Sequence, residues 1–323
     1  MLGKDQGDVQ EITYLNRRLK LVEEGIQYSH DPQHIDNIHR ELGLIGGRSV
    51  GTPGTREGEK NSEGAELDSK EASKIRRLIA ILNYVSQDRP DIGFATKECA
   101  RLMSRPQERA KQLVMRVGRY LLRCPSRPSL YRWQLEPRRL TTYTDANWAG
   151  CERTRRSTSG GVVLRGLHII KAWSRTQANV ALSSAESELT ALVKASTETL
   201  GVKRMSQEMG EELHGAILTD SSAARGAVHR SGSGRLKHIT THSLWVQEKA
   251  ARGELSYLKV CRSENLADVL THNWDAATGE KMFAKMGLCN QTAEVSLASC
   301  GNRASTMLGS ALCPRGDFGD YLI

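Results

Sequence analysis

The sequence predicts an α/β fold in which a five-stranded mixed sheet is flanked by helices and preceded by a mainly helical segment. Between residues 138 and 288, strand-forming runs and helical periodicity follow the order β-β-β-α-β-α-α-β-α, which indicates one sheet with helices packed on it. Before that, residues 73–137 carry three apolar stripes at helical spacing. A chain of 323 residues accommodates both parts.

The first 72 residues divide into a folded segment and a linker. Residues 9–45 predict a strand followed by a helix, because Asp31-Pro32 is typical of a helix start and apolar residues then recur at helical spacing. Residues 46–72 are rich in Gly, Ser, Glu and Lys and contain almost no large apolar residue. This composition predicts a flexible linker.

Three helices are predicted between residues 73 and 137. Arg89-Pro90 and Pro106 separate them, because proline interrupts a helix. Their apolar stripes are Ile75, Leu78, Ile79, Leu82 and Val85, then Ile92, Ala95, Cys99 and Leu102, and finally Ala110, Leu113, Val114, Val117 and Leu121.

The net charge of +9 is concentrated in one stretch of the chain. Residues 101–140 contain ten Arg and one Lys against two Glu, which equals the whole excess. On the third helix Arg109, Arg116 and Arg119 lie mostly off the apolar stripe. They predict a surface that binds a polyanion backbone without reading its sequence. A solvated helix face is the alternative interpretation.

The sheet is predicted from five strands, and the short link between the second and third indicates a hairpin. The strands are 140–145, 160–166, 168–174, 216–220 and 254–260, and the main helices run from Ser184 to about Met209, from about His238 to Ala251, and onward from near Asn265.

Composition excludes several classes of protein. No apolar stretch approaches the roughly 20 residues of a membrane span. The first 25 residues lack the apolar core of a signal peptide, so we expect no membrane association and a cytoplasmic or nuclear location. Seven cysteines without a C-x-x-C pair disfavour a disulfide scaffold and a structural zinc site. After residue 289 periodicity is lost, which predicts a poorly ordered tail over 289–323.

Four carboxylates are predicted to meet at one edge of the sheet. Asp145 ends the first strand and Asp220 the fourth, Glu188 lies near the start of the long helix, and Asp268 opens the last helix. Each alone is typical of a turn or a helix N-terminus. Together they indicate a site for Mg²⁺-like ions, which bind carboxylate oxygens and, as a pair about 4 Å apart, support phosphodiester hydrolysis. Without metal such acids should have raised pKa values.

Several blocks of the sequence resemble copia-type LTR retrotransposon polyproteins. Four blocks resemble the ribonuclease H domain of that family: Tyr143–Gly150 with Arg155–Gly160, Ala181–Leu189, Lys237–Ile239 and Leu266–Thr271. Three further blocks resemble the segment that connects reverse transcriptase to ribonuclease H: Leu82–Ser86, Arg89–Ile92 and Arg119–Leu121. Residues 10–54 resemble the end of the polymerase thumb. The resemblance implies a thumb remnant over 1–45, the linker over 46–72, a basic connection segment over 73–137, a ribonuclease H-like domain over 138–288 and the tail over 289–323.

The resemblance also implies an activity, which is hydrolysis of the RNA strand of an RNA–DNA hybrid. Its cofactors would be two Mg²⁺ or Mn²⁺ ions, held by Asp145, Glu188, Asp220 and Asp268 as catalytic residues. The resemblance is also consistent with a second partner, which would be the remainder of a reverse transcriptase. No polymerase activity is expected, because the sequence lacks the paired aspartates of the palm.

Other residues are candidates for contact with the hybrid. They are Arg155 and Arg156 after the first strand, for which a solvated turn is an equal alternative, and Lys237 and His238 before the fifth strand. Trp148 and Trp173 are expected to pack in the core rather than stack on bases. Glu186 and Glu188 point about 200° apart on one helix, and only the resemblance selects Glu188.

The sequence departs from the family pattern at Asn147, Ser221 and His272, and the loop over 260–267 lacks the histidine of the cellular enzymes. Two alternatives therefore stay open. One is a catalytically inactive, nucleic-acid-binding relic of a retroelement. The other is a structural role in which the helices and sheet dock a polymerase chain.

Overall fold

A computed structural model describes residues 2–3, 5, 7–55, 64–232 and 245–289. Its strands are β1 (Glu11–Tyr14), β2 (Arg17–Val22), β3 (Gly25–Ser29), β4 (Ser129–Arg132), β5 (Arg139–Asn147), β6 (Thr158–Arg165), β7 (His168–Thr176), β8 (His214–Thr219) and β9 (Leu255–Lys259). Its α-helices are α1 (Pro32–Leu42), α2 (Ser69–Val85), α3 (Gly93–Ala100), α4 (Glu108–Arg123), α5 (Ser184–Glu208), α6 (Ser222–Val228), α7 (Trp245–Ala251) and α8 (Ala276–Lys285). Among the described residues, no helix combines the length and the apolar character needed to cross a bilayer.

The predicted five-stranded mixed sheet is confirmed. Its order is β7-β6-β5-β8-β9, in which β5, β6 and β7 are antiparallel and β8 and β9 run parallel to β5. The predicted hairpin joins β6 to β7 through Gly166, whose φ of 58° suits glycine. Because β5 and β8 are parallel neighbours, their carboxyl ends lie at the same edge of the sheet.

The N-terminal segment contains three strands where one was predicted. β1, β2 and β3 form an antiparallel sheet that β4 completes. The turn between β1 and β2 places Leu15 and Asn16 at φ 49° and 61°, the left-handed conformation that two-residue hairpin turns require. The glycine that is usual in such turns is absent here, so no local pattern predicted this hairpin.

The predicted apolar stripes are buried, and two helix boundaries differ from the prediction. Every member of the α2 stripe is at most 2% exposed. α2 begins at Ser69, inside the predicted linker, because the Asp68 carboxylate accepts hydrogen bonds from the backbone N–H groups of Lys70 and Glu71. The next helix ends at Ala100, so Leu102 lies beyond it.

One apolar core joins the helices of the connection segment to the sheet. Residues of α2 and α4 pack with Val162 and Leu164 of β6 and with Phe283 of α8. The opposite face of the sheet carries Val163 and packs against α5, α6 and α7 in a second core. The sheet is thus the middle layer between two groups of helices.

A buried polar cluster fastens the connection segment. Arg89 is completely buried and donates two hydrogen bonds, of 2.9 and 2.7 Å, to the carboxylate of Asp91. The Tyr120 hydroxyl donates to the same carboxylate at 2.8 Å, and Arg127 lies beside it and pairs with Glu280 of α8. Burial opposes ionisation of Asp91, but the charge and hydrogen bonds of Arg89 lower its pKa to about 2.

The last predicted helix does not start near Asn265. Two 3₁₀ turns, Arg262–Glu264 and Asp268–Leu270, precede α8. Asn265 is fully buried, its side-chain amide donates to the Thr144 carbonyl, and its side-chain oxygen accepts from the Ala267 N–H. These bonds fix the segment against β5 in a non-helical path, so Asp268 opens a 3₁₀ turn instead of an α-helix.

Candidate active site

The structure brings the four predicted acids together around Asp145. Asp145, Glu188 and Asp220 each offer a carboxylate oxygen, and these oxygens lie within 4.8 Å of one another. Asp145 and Asp268 form a second group with His272, again with ligand atoms within 4.8 Å. Asp145 belongs to both groups and is therefore the centre of the site.

Sheet topology accounts for two of the acids. Asp145 lies near the end of β5, and Asp220 immediately follows β8. Since these strands are parallel neighbours, the two carboxylates emerge at one edge, where open α/β sheets commonly form ligand sites.

The start of α5 supplies the third acid. Ser183 caps the helix by accepting a hydrogen bond from the Glu186 N–H, and the Glu186 carboxylate accepts one from the Leu182 N–H at 2.7 Å. Glu186 therefore stabilises the helix start, while Glu188, about 200° away on the helix, faces Asp145 and Asp220.

The turn after Asn265 supplies the fourth acid. The fully buried Thr271 hydroxyl donates to the Asp145 carboxylate and lies 3.0 Å from the Asp268 carbonyl oxygen. It also lies 2.8 Å from Nδ1 of His272. This turn thus holds Asp145 in place while presenting Asp268 and His272 beside it.

Asp145, Glu188 and Asp220 have raised pKa values, as expected of acids that lie close together in a partly buried site. Burial raises the pKa of Glu188 to about 9, and the neighbouring Asp145 and Asp220 add to the effect. Burial also raises the pKa of Asp145 to about 6, although the hydrogen bond from Thr271 opposes the shift. The pKa of Asp220 is raised by burial against the opposing charges of Lys259 and Arg262.

The donor set fits a hard divalent cation. Carboxylate oxygens are the ligands that Mg²⁺ and Mn²⁺ prefer. Oε2 of Glu188 is buried without a hydrogen-bond partner, and a bound cation would satisfy it. A divalent cation at this edge of the sheet would bind the carboxylates and would favour their ionised form.

A cleft of about 940 Å³ leads from the acids to the basic helix. Asp268 and His272 line it together with Arg109, Arg116 and Arg119 of α4. The predicted nucleic-acid-binding arginines of α4 thus share one cleft with part of the acid site.

Arg116 has a second role that the sequence did not indicate. Its Nη2 donates to the Thr52 hydroxyl and the Gly54 carbonyl, both at 3.2 Å. The neighbouring Thr55 carbonyl accepts a hydrogen bond from the Asn273 side chain. This end of the predicted linker is therefore bonded to α4 and to the segment after the acids.

Part of the basic stretch is neutralised within the chain. Arg105 pairs with Glu66, Lys111 pairs with Glu71 at 2.9 Å, and Arg127 is buried. These cations stabilise local contacts, so only part of the excess charge of residues 101–140 lies in the cleft. The arginines of the cleft are the part that faces a ligand site.

The remaining candidates are placed apart from the cleft or lie outside the described residues. Arg155 and Arg156 are exposed in the turn after β5 and do not line the cleft. Lys237 and His238 lie outside the described residues, as do residues 290–323 of the predicted tail. Trp173 is 7% exposed, which confirms core packing. Trp148 is 48% exposed and donates to the Ala181 carbonyl, so the expectation of a core position was wrong for it.

Two site residues were missed from the sequence. His272 was noted only as a departure from the family pattern, although its position four residues after Asp268 was a usable signal. Arg262 lines the cleft, and its positive charge partly offsets the rise in the pKa values of Glu188 and Asp220. The loop over 260–267 contains no histidine, and no sequence pattern indicated that Arg262 in this loop would face the acids.

Comparison with known proteins gives the following similarities. No protein-family model matches the chain. Over 288 residues, or 87% of its length, the chain is 27% identical to the retrovirus-related Pol polyprotein from transposon RE1 of Arabidopsis thaliana, and it spans 19% of that protein. It is also 35% identical to the secreted RxLR effector protein 161 of Plasmopara viticola over 126 residues. This aligned stretch covers 38% of this chain and 84% of the effector protein. A solved N-terminal ribonuclease H domain from Mycobacterium tuberculosis, fused to maltose-binding protein, is 18% identical and covers 48% of this chain and 98% of that chain, with a TM-score of 0.30.

Proposed function

We propose that this chain, whose homologues are retrovirus-related Pol polyproteins of copia-type transposons, hydrolyses the RNA strand of an RNA–DNA hybrid. The observation that carries the proposal is the convergence of four carboxylates around Asp145. A metal-dependent phosphodiesterase needs such a set, and the chain contains it at the edge of its mixed sheet.

The proposed cofactors are two Mg²⁺ or Mn²⁺ ions. Asp145, Glu188 and Asp220 would hold one ion, and Asp145 and Asp268 would hold the other. Bound ions would supply an activated water and stabilise the departing oxygen. Thr271 keeps the Asp145 carboxylate oriented toward both positions, because its hydroxyl donates to Oδ2.

The proposed partner is the hybrid, held along the cleft. Arg109 and Arg119 line the cleft beyond the acids and would contact the phosphate backbone. This arrangement assigns the chemistry to the sheet edge and the positioning to α4. We propose further that residues 1–45 are a thumb remnant and 46–68 a linker, and that the connection segment runs from the start of α2 at Ser69 to residue 137, which a reverse transcriptase chain would adjoin.

A cleavage assay tests the proposal. The purified full chain would be incubated with a hybrid whose RNA strand is end-labelled, in Mg²⁺, in Mn²⁺ and in EDTA. We expect metal-dependent cutting of the RNA in the hybrid, no cutting of a DNA duplex of the same sequence, and no cutting by Asp145→Asn. The Glu186→Gln variant is the matched control, because its acid caps α5 and should be dispensable for cleavage.

A different outcome would support the alternative function. Salt-dependent binding of the hybrid without cleavage in either metal would contradict the proposed hydrolysis. The chain would then be a nucleic-acid-binding relic whose acids no longer perform chemistry.

A further inference from the structure

We propose that His272 is a nitrogen ligand of a divalent ion that Asp145 and Asp268 also hold. The inference rests on the proposed function, because both use the same two carboxylates. It goes beyond that function by adding an imidazole to a donor set otherwise made of oxygens.

The distances around His272 fit a shared ion. Its Nδ1 lies 3.9 Å from Oδ2 of Asp145 and 3.7 Å from Oδ1 of Asp268. Two ligand atoms that each lie about 2.1 Å from one ion are separated by roughly 3.0 to 4.2 Å, depending on the angle between them. Both distances from Nδ1 fall in this range, and the ligand atoms of all three side chains lie within 4.8 Å of one another, so small side-chain rotations would bring them to a common ion.

The local structure holds the imidazole on this side of the turn. The His272 N–H donates to the Asp268 carbonyl at 3.2 Å, one residue beyond the Thr271 N–H that closes the 3₁₀ turn. Nδ1 also lies 2.8 Å from the Thr271 hydroxyl, which donates to Asp145, so Nδ1 would exchange this contact for the ion when the metal binds. The ring is thus directed at the two carboxylates, while its 38% exposed side chain lines the cleft through which an ion would arrive.

The chemistry of the ligand sets the expected preference. Imidazole favours transition-metal ions over Mg²⁺, whereas a purely carboxylate site favours Mg²⁺, Ca²⁺ and Mn²⁺. The site should therefore bind Mn²⁺ more tightly than an all-oxygen site would. The competing explanation is that His272 only accepts or donates a hydrogen bond at Thr271 and never touches the ion.

Pulsed electron paramagnetic resonance on the full chain loaded with Mn²⁺ alone distinguishes the two explanations. A directly bound imidazole nitrogen adds ¹⁴N modulation to the Mn²⁺ signal. We expect this modulation in the wild type, its loss in His272→Gln, and a Mn²⁺ affinity at least about tenfold weaker in that variant. The matched control is His214→Gln, because His214 is exposed at the start of β8, the end opposite Asp220. Circular dichroism would verify that both variants fold.

Each outcome separates this inference from the proposed function. Mn²⁺ binding without ¹⁴N modulation in the wild type would overturn the inference and leave metal-dependent cleavage intact. Modulation that persists in His272→Gln would overturn it as well, since another nitrogen would be the ligand. Failure of the wild type to bind Mn²⁺ at all would contradict the inference and the metal site of the proposed function together.

Discussion

Replacing Glu188 by glutamine should stabilise the metal-free protein at alkaline pH while it removes metal-dependent cleavage. The folded protein holds the proton of Glu188 up to a pKa of about 9, whereas the reference value is 4.5. As the pH rises through this window, the unfolded chain loses the proton easily and the folded chain does not. Stability is therefore full below about pH 4.5 and falls progressively toward pH 9. Glutamine has no proton to lose, so the variant avoids this decline.

The size of the effect follows from the pKa difference. Between pH 4.5 and pH 8 the decline for a fully shielded group would be about 5 kcal/mol, at 1.36 kcal/mol for each pKa unit. Glu188 is only half-buried by surface exposure, so solvent screens part of the penalty. We expect about 1–3 kcal/mol at pH 8, which corresponds to roughly 1.5–4.5 °C in Tm, because a chain of 323 residues has an unfolding entropy of about 0.7 kcal/mol/K.

Thermal unfolding followed by circular dichroism in EDTA at pH 5 and pH 8 measures the effect. The Tm of Glu188→Gln should be close to that of the wild type at pH 5 and higher at pH 8. The control Glu186→Gln loses the charged acceptor of the Leu182 N–H and should cost about 0.3–1 kcal/mol at both pH values. A Tm difference for Glu188→Gln that does not grow between pH 5 and pH 8 would refute the reasoning.

Three further changes test other parts of the molecule. Asp145→Asn should abolish cleavage while hybrid affinity, measured by fluorescence anisotropy, stays near that of the wild type; near-normal turnover would remove Asp145 from the centre of the site. Joint replacement of Arg109, Arg116 and Arg119 by glutamine should weaken hybrid binding and reduce the slope of log affinity against log salt by about 2–3, and an unchanged slope would place the hybrid elsewhere. Arg89→Met should lower the free energy of unfolding by about 3 kcal/mol in a urea titration, because the buried Asp91 carboxylate loses two charged hydrogen bonds and keeps Tyr120 and Arg127; a loss below about 1 kcal/mol would mean that the pair is dispensable.

The sequence predicted those parts of the fold whose signals are local. The α2 and α4 stripes could be assigned because a helix that buries one face repeats its apolar residues with a fixed period. The N-terminal sheet was not predicted, since β3 pairs with β4 about a hundred residues later, as in Tyr28 opposite Ser129. No local pattern reports such a long-range pairing.

The site shows the same division. Asp145 and Asp220 could be predicted from their positions at strand ends, because parallel neighbours present their carboxyl ends together. Asp268 was predicted to open an α-helix but opens a 3₁₀ turn, because the hydrogen bond from Asn265 to Thr144 that redirects the chain joins residues far apart in sequence. The orientation of His272 depends on that same turn, so its contact with the acids required the tertiary structure.

The single core that joins α2, α4 and α8 to β6 bears on how such a module can be inherited. A gene fragment that started at residue 138 would encode the complete five-stranded sheet and α8 but leave the face containing Val162, Leu164 and Ile169 without α2 and α4. An uncovered apolar face of this kind promotes aggregation. Recombination between related elements should therefore yield folded products when the crossover falls before α2, and unfolded ones when it falls between α4 and β5.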